Sequence, residues 1–126
     1  MDKWRHMRTL VLIPALVIAA PGAKAANDIY TGNDLLKECR ATEPGGVIGD
    51  GPSALANGAY DAGSCMGYMK AARFLVRGEA ICVPAEVTTG QFRDVVIKYV
   101  NDHPDQRHRQ AVVLTTLATL EAFPCK

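Results

Sequence analysis

The chain has 126 residues, with fourteen lysines and arginines against thirteen acids and a net charge of +1 when the histidines are neutral. That length fits one domain, and so even a balance provides no basic field for neutralising phosphates, which argues against nucleic acid as a partner. No repeat and no low-complexity tract interrupts it.

The chain opens with Lys3, Arg5 and Arg8 against Asp2, followed by the apolar run Thr9–Ala20 and then Ala23-Lys24-Ala25. Basic, apolar and small-residue segments in that order predict a signal peptide over residues 1–25, cleaved after Ala25. The apolar run is about 12 residues long, and a membrane-spanning helix needs roughly 20, so no membrane anchor is expected after cleavage. No cysteine closely follows the run and no twin arginine precedes it, which predicts Sec-type export without lipid attachment. Residues 26–126 are then the mature domain, with ten basic and twelve acidic side chains and a net charge of −2.

All four cysteines, Cys39, Cys65, Cys82 and Cys125, lie in the mature part. An even number in a short exported chain reads as two disulfides, formed in an oxidising compartment such as the periplasm. Four cysteines allow three pairings, and sequence alone does not choose among them. The preferred pairing is Cys39–Cys65 with Cys82–Cys125. It joins the first helix to the second and ties an extended segment to the C-terminus. No C-x-x-C pair occurs, and His103 and His108 stand five apart, so no metal site and no cofactor are expected.

Four helices are expected, making an all-α, disulfide-stapled bundle. The first runs from about Asn33 to Ala41, after a Thr31–Asp34 capping box. Residues 43–53, with four glycines and two prolines, form a loop, and Ser53 is placed as the cap of the next helix. That second helix spans about Ala54 to Arg77, with Leu55, Ala59, Ala62, Met66, Met69 and Leu75 as its inward stripe. Gly58, Gly63 and Gly67 along it suggest close approach of another helix, and Tyr60, Met66 and Tyr68 are placed in the core. Ala80–Pro84 is extended, because a residue before proline disfavours the helical region. The third helix follows the Thr88–Gln91 capping box, turns Phe92, Val95, Val96, Tyr99 and Val100 inward, and closes at Asn101–Pro104. The fourth runs from about Asp105 to Phe123, with Ala111, Leu114, Leu117, Ala118 and Leu120 inward, and stops at Pro124.

No catalytic constellation is expected. Gly51-Pro-Ser53-Ala-Leu55 lacks the final glycine of a nucleophile elbow. Glu38, Asp61 and Asp94 are spread as on solvated helix faces, and His108 reads as a polar surface residue. Gly45, Gly46 and Gly49 do not follow a strand, so a phosphate-cradling loop is not indicated. What remains is a binding protein.

Several pieces taken in order carry a more specific likeness: Thr31-Gly-Asn-Asp-Leu-Leu…Cys39, Cys65-Met-Gly-Tyr68, Ile81-Cys-Val-Pro84, Val87 to Val100, His103-Pro104 and Ala122-Phe-Pro-Cys125. Together they resemble the Tai/Rap-type immunity family of type VI secretion. The resemblance implies an exported, helical, disulfide-bonded protein, often a homodimer, that binds and blocks a peptidoglycan amidase effector without doing chemistry itself. A plug for a narrow cleft must be rigid, because ordering a floppy loop weakens binding. The loop Asn101–Arg107 is therefore the favoured contact, with Asp102, His103, Pro104, Asp105 and Arg107 as candidates, and Gly46–Pro52 is a second loop of the same kind. The rival expectations are a small periplasmic acid-stress chaperone and another envelope binding protein or enzyme.

Overall fold

The computed structural model describes residues 29–47 and 49–126; the expected signal peptide and its cleavage site lie outside them, as does Ile48. The described residues fold as α1 (Gly32–Arg40), α2 (Pro52–Leu75), α3 (Thr89–Asp102), a short 3-10 turn at Pro104–Gln106, and α4 (Ala111–Ala122). Among them no strand forms, and three isolated bridges are the only extended pairings: Thr31 with Gln110, Gly78 with Ile81, and Ile81 with Pro124. The fold is the small all-α bundle that the helical periodicities predict, held by disulfides Cys39–Cys65 and Cys82–Cys125.

Two helix starts follow directly from local chemistry. Thr31 and Thr88 each accept a hydrogen bond at the hydroxyl from the backbone N–H three residues on, and Asp34 and Gln91 accept one back from the cap residue. Each box satisfies donors that the first helical turn leaves unpaired. The starts of α2 and α4 are different. Gly51, at φ 94°, is the N-cap of α2 with Pro52 as its first residue, and no side chain caps it, so Ser53 is not the cap. The α4 helix begins at Ala111 rather than near Asp105. Its first N–H donates to the Tyr30 carbonyl at 2.8 Å, and Gly32 N–H donates to the Arg109 carbonyl at 3.0 Å. Backbone pairing with the segment ahead of α1 holds residues 107–110 out of the helix.

The core joins Leu35 and Cys39 of α1, Cys65, Met69 and Ala72 of α2, Phe92, Val96 and Val100 of α3, and Ala111, Leu114 and Ala118 of α4. The α3 face matches the expected one: Phe92, Val96 and Val100 are fully buried, with Val95 and Tyr99 half-buried beside them. The α2 stripe is rotated. Gly58, Cys65, Met69 and Ala72 face inward, whereas Leu55 is 66% exposed, Leu75 80% and Tyr60 73%, so Tyr60 is not a core residue. The physical reason is that α2 carries small or apolar residues on every side, so periodicity does not pick a face. The Cys39–Cys65 bond does, by turning Cys65 toward α1. On α4, Leu120 points outward and Thr115 and Thr119 are fully buried in its place. Threonine is tolerated there because Thr119 Oγ1 donates to the Thr115 carbonyl at 2.6 Å, and Thr115 Oγ1 shares a hydrogen bond with the Tyr68 hydroxyl at 3.0 Å.

The α2 glycines divide by environment. A Cβ on Gly58 would stand 2.5 Å from Val47, so this glycine admits Val47 of the preceding loop rather than a helix. Gly63 and Gly67 meet nothing within 4 Å and open to solvent.

Candidate functional site

The connection between α3 and α4 is held by both side-chain and backbone hydrogen bonds. His103 ends α3, and its backbone N–H donates to the Tyr99 carbonyl. Its ring stacks on Tyr99 at 4.1 Å between centroids. His103 Nδ1 lies 2.8 Å from the same carbonyl. A carbonyl only accepts, so Nδ1 carries the proton and Nε2 is left for another partner. Pro104 opens the short 3-10 turn, which Gln106 N–H and Arg109 N–H continue by donating to the carbonyls of His103 and Gln106.

Arg107 locks the turn from inside. Its Nε donates to the Val100 carbonyl at 3.0 Å and its Nη2 to the Asn101 carbonyl at 2.9 Å, the free acceptors at the C-terminus of α3. From the other side, Asn33 N–H donates to the Arg107 carbonyl at 3.1 Å. Gly32 makes this approach possible, since a Cβ there would lie 2.5 Å from Leu114 Cδ1 and 3.0 Å from the Arg107 carbonyl oxygen. The Thr31-Gly-Asn-Asp segment thus starts α1 with its outer residues and clamps the α3–α4 loop with its inner ones.

This arrangement sorts the five candidate residues. Asp102, Pro104 and Asp105 are exposed, while His103 and Arg107 are half-buried. Asp102 pairs with Lys98 one turn back along α3, and its carboxylate holds the Lys98 ammonium above the usual lysine range. Arg107 has its donors turned onto the protein's own backbone, so its place is that of a positioning residue. Beside the loop, Lys98, Tyr99, Asp102 and His103 face Glu121 across a groove of about 220 Å³ between α3 and α4. The second loop is anchored differently. Gly46 N–H donates to the Glu43 carbonyl at 2.9 Å, and a Cβ on Gly46 would fall 1.7 Å from the Arg40 carbonyl, so the chain hugs the end of α1.

Two further features were not visible as a pattern in the sequence. The Tyr30 hydroxyl donates to Glu38 Oε2 at 2.6 Å, and burial followed by the Glu38 carboxylate pushes its pKa well above that of a free tyrosine. The Tyr30 and Tyr68 rings meet at 5.4 Å. With Ile29, Gln110 and Val112 they line a shallow, mostly apolar hollow of about 250 Å³. Eight-residue spacing on one helical segment does not announce a Tyr–Glu contact when one partner precedes the helix. Among the described residues, no cluster of three His, Cys, Asp or Glu side chains is placed to hold a metal ion, and every cysteine is in a disulfide.

Against this geometry, a family model described as Rap1a immunity proteins matches residues 31–125, from the first capping threonine to the last cysteine. The chain belongs to the Rap1a immunity protein family. No curated protein matches the sequence. The matched span contains α1 to α4, both disulfides and the clamped loop, so the Rap1a match covers the described domain as a unit. Two disulfides in a Rap1a immunity protein fit a compartment that oxidises thiols. Among the described residues, no helix is long and apolar enough to cross a membrane.

Proposed function

We propose that the chain is exported by a signal peptide cleaved after Ala25, and that residues 26–126 act in the periplasm as an immunity protein. It binds a peptidoglycan amidase effector of type VI secretion and blocks its cleft by occlusion, with no chemistry of its own. Membership in an immunity family supports a cognate toxin as the partner. The observation that carries the mode of action is the clamped loop. Arg107 and Asn33 fix its backbone from two sides, while Asp102, Pro104 and Asp105 remain exposed at its tip. A loop ordered before binding loses little conformational freedom on entering a cleft. The exposed Asp105 carboxylate and the His103 ring, with the Asp102–Lys98 pair beside them, present a polar surface suited to a polar catalytic site.

The same reading makes the protein a homodimer, and the outer face of α2 suits a second copy. Ala56, Ala59, Tyr60, Gly63, Gly67, Lys70, Ala71 and Phe74 are all exposed and lie opposite the buried face of the helix. The set is self-complementary when two such helices run antiparallel about residue 65. Gly63 then meets Gly67 of the partner subunit, Ala56 meets Phe74 of the partner subunit, and the Tyr60 ring meets Lys70 of the partner subunit. Small faces large, and each ammonium faces an aromatic ring. The two lysines stay about 15 Å apart along the axis.

The deciding experiment mixes the mature protein with candidate peptidoglycan amidase effectors of type VI secretion and follows hydrolysis of purified cell wall. Hydrolysis should stop at stoichiometric protein. Asp102→Ala combined with Asp105→Ala should weaken the complex by about tenfold or more, as loss of contacts central to an interface does. Unchanged affinity removes the loop from the contact, and undiminished hydrolysis at excess protein rejects the amidase as the target.

A further inference from the structure

The two disulfides sit in opposite environments. Cys39 and Cys65 are 2% and 0% exposed, sealed between α1 and α2. Cys82 is exposed and Cys125 half-buried, and their bond ties the C-terminal strap to the segment after α2. Apart from that bond, two backbone hydrogen bonds hold the strap there: Cys82 N–H to the Phe123 carbonyl at 2.9 Å, and Cys125 N–H to the Ala80 carbonyl at 3.1 Å.

Cys82 also lines a pocket of about 240 Å³ whose charged lining residues are Arg73 and Arg77. Both are held in position. Arg73 Nη2 donates to the Ala85 carbonyl at 2.9 Å, and the Arg77 guanidinium lies 5.6 Å over the Phe74 ring. The rest of the lining is Ile81, Val83 and Ala85, with no acid among them. The pocket therefore brings the exposed member of the Cys82–Cys125 disulfide together with two arginines, on a mature chain of net charge −2.

We propose that this pocket is a thiol-exchange site at which Cys82 takes up an anionic, carboxylate-bearing thiol. The incoming thiolate attacks Cys82 Sγ from the pocket, forming the new S–S bond. The Cys82–Cys125 bond breaks, and its electron pair leaves with Cys125 Sγ, which then takes a proton from water. The incoming thiol is oxidised as Cys125 is reduced, and the product is a mixed disulfide on Cys82 with a free thiol on Cys125. The transition state spreads negative charge over three sulfurs, and the two guanidinium groups stabilise it as they stabilise the carboxylates of the incoming molecule. Attack falls on Cys82 because Cys82, and not Cys125, lines the pocket. Exchange leaves the strap held by its two backbone hydrogen bonds, with the buried Cys39–Cys65 staple untouched.

Reduced glutathione is the anionic probe and cysteamine the cationic one, compared at equal thiolate concentration on the oxidised mature chain. Acid quenching and peptide mass mapping locate and time the first adduct. The first adduct is expected on Cys82, forming roughly fivefold or more faster with glutathione than with cysteamine at low salt. Raising the salt from about 0.02 M to about 0.5 M should erase most of that preference in the unaltered chain. Arg73→Gln with Arg77→Gln should slow glutathione while leaving cysteamine within about twofold, and lysine at both positions should restore most of the rate. An adduct first on Cys125, a preference indifferent to salt and to both arginines, or opening of Cys39–Cys65 at the same rate would overturn the proposal. None of these outcomes depends on the amidase, so they separate this site from the occlusion reading.

Discussion

At the scale of single residues, Gly32 and Asn33 join the start of α1 to the α3–α4 loop through the carbonyls of Arg109 and Arg107. Gly32 has no room for a side chain, since a Cβ there would lie 2.5 Å from Leu114 Cδ1 and 3.0 Å from the Arg107 carbonyl oxygen. Gly32→Ala should destabilise the fold by about 1–3 kcal/mol, the usual effect of a group forced into an occupied site, read as a lowered urea midpoint. Asp34 makes a prediction about pH. Its carboxyl is held below the usual aspartate range, first by the Thr31 hydroxyl and then by the Thr31 backbone N–H. A carboxylate whose folded pKa is depressed stabilises the fold above its ordinary value of 3.8, and that contribution disappears as the pH falls below it. Asp34→Asn should therefore be less stable near neutrality and should lose less stability on acidification. Unfolding midpoints of the two proteins, measured from pH 6 down to about pH 2, should converge. Midpoints that stay parallel would exclude a role for this carboxylate.

At the scale of elements, α2 and α4 are the helices whose orientation depends on their neighbours. On α4, Leu114 is fully buried and Leu120 is 40% exposed. The outer face of α2 carries a prediction with two readable signs. Gly67 meets nothing within 4 Å, so replacing it with glutamine leaves the monomer intact and raises helix propensity by up to about 1 kcal/mol. If two copies meet through this face, Gly67→Gln blocks their approach. Sedimentation at micromolar concentration should then show a dimer for the natural sequence and a monomer of raised intrinsic stability for the variant. A variant that remains dimeric places the contact elsewhere.

At the scale of the whole molecule, two cross-links compensate for a small core. The loops they close span 26 and 43 residues, and chain entropy assigns them about 3.5 and about 4 kcal/mol. Burial reverses that order. Removing Cys39 and Cys65 also empties space between α1 and α2, whereas removing Cys82 and Cys125 frees an exposed strap. The Cys39→Ala, Cys65→Ala double variant should therefore melt at a lower temperature than the Cys82→Ser, Cys125→Ser variant. The opposite order would mean that loop closure outweighs packing here.

Features written in adjacent residues are legible in the sequence by itself. Both capping boxes and the buried face of α3 follow from hydrogen bonds and packing over one or two helical turns, where nearby residue types decide the outcome. The α3–α4 loop is legible as a stiff polar connection, because Pro104 and its flanking polar residues are local signals, and the order of the motifs points to the immunity family. The inner face of α2, the late start of α4 and the role of Arg107 are settled only by tertiary structure. Each is chosen by a contact more than five residues away in sequence: Cys39 with Cys65, Tyr30 with Ala111, and Arg107 with the end of α3 and the start of α1. A helix apolar on every side has no preferred face until a neighbour supplies one. A polar side chain in a loop likewise has no fixed role until the backbone groups it will satisfy are brought beside it.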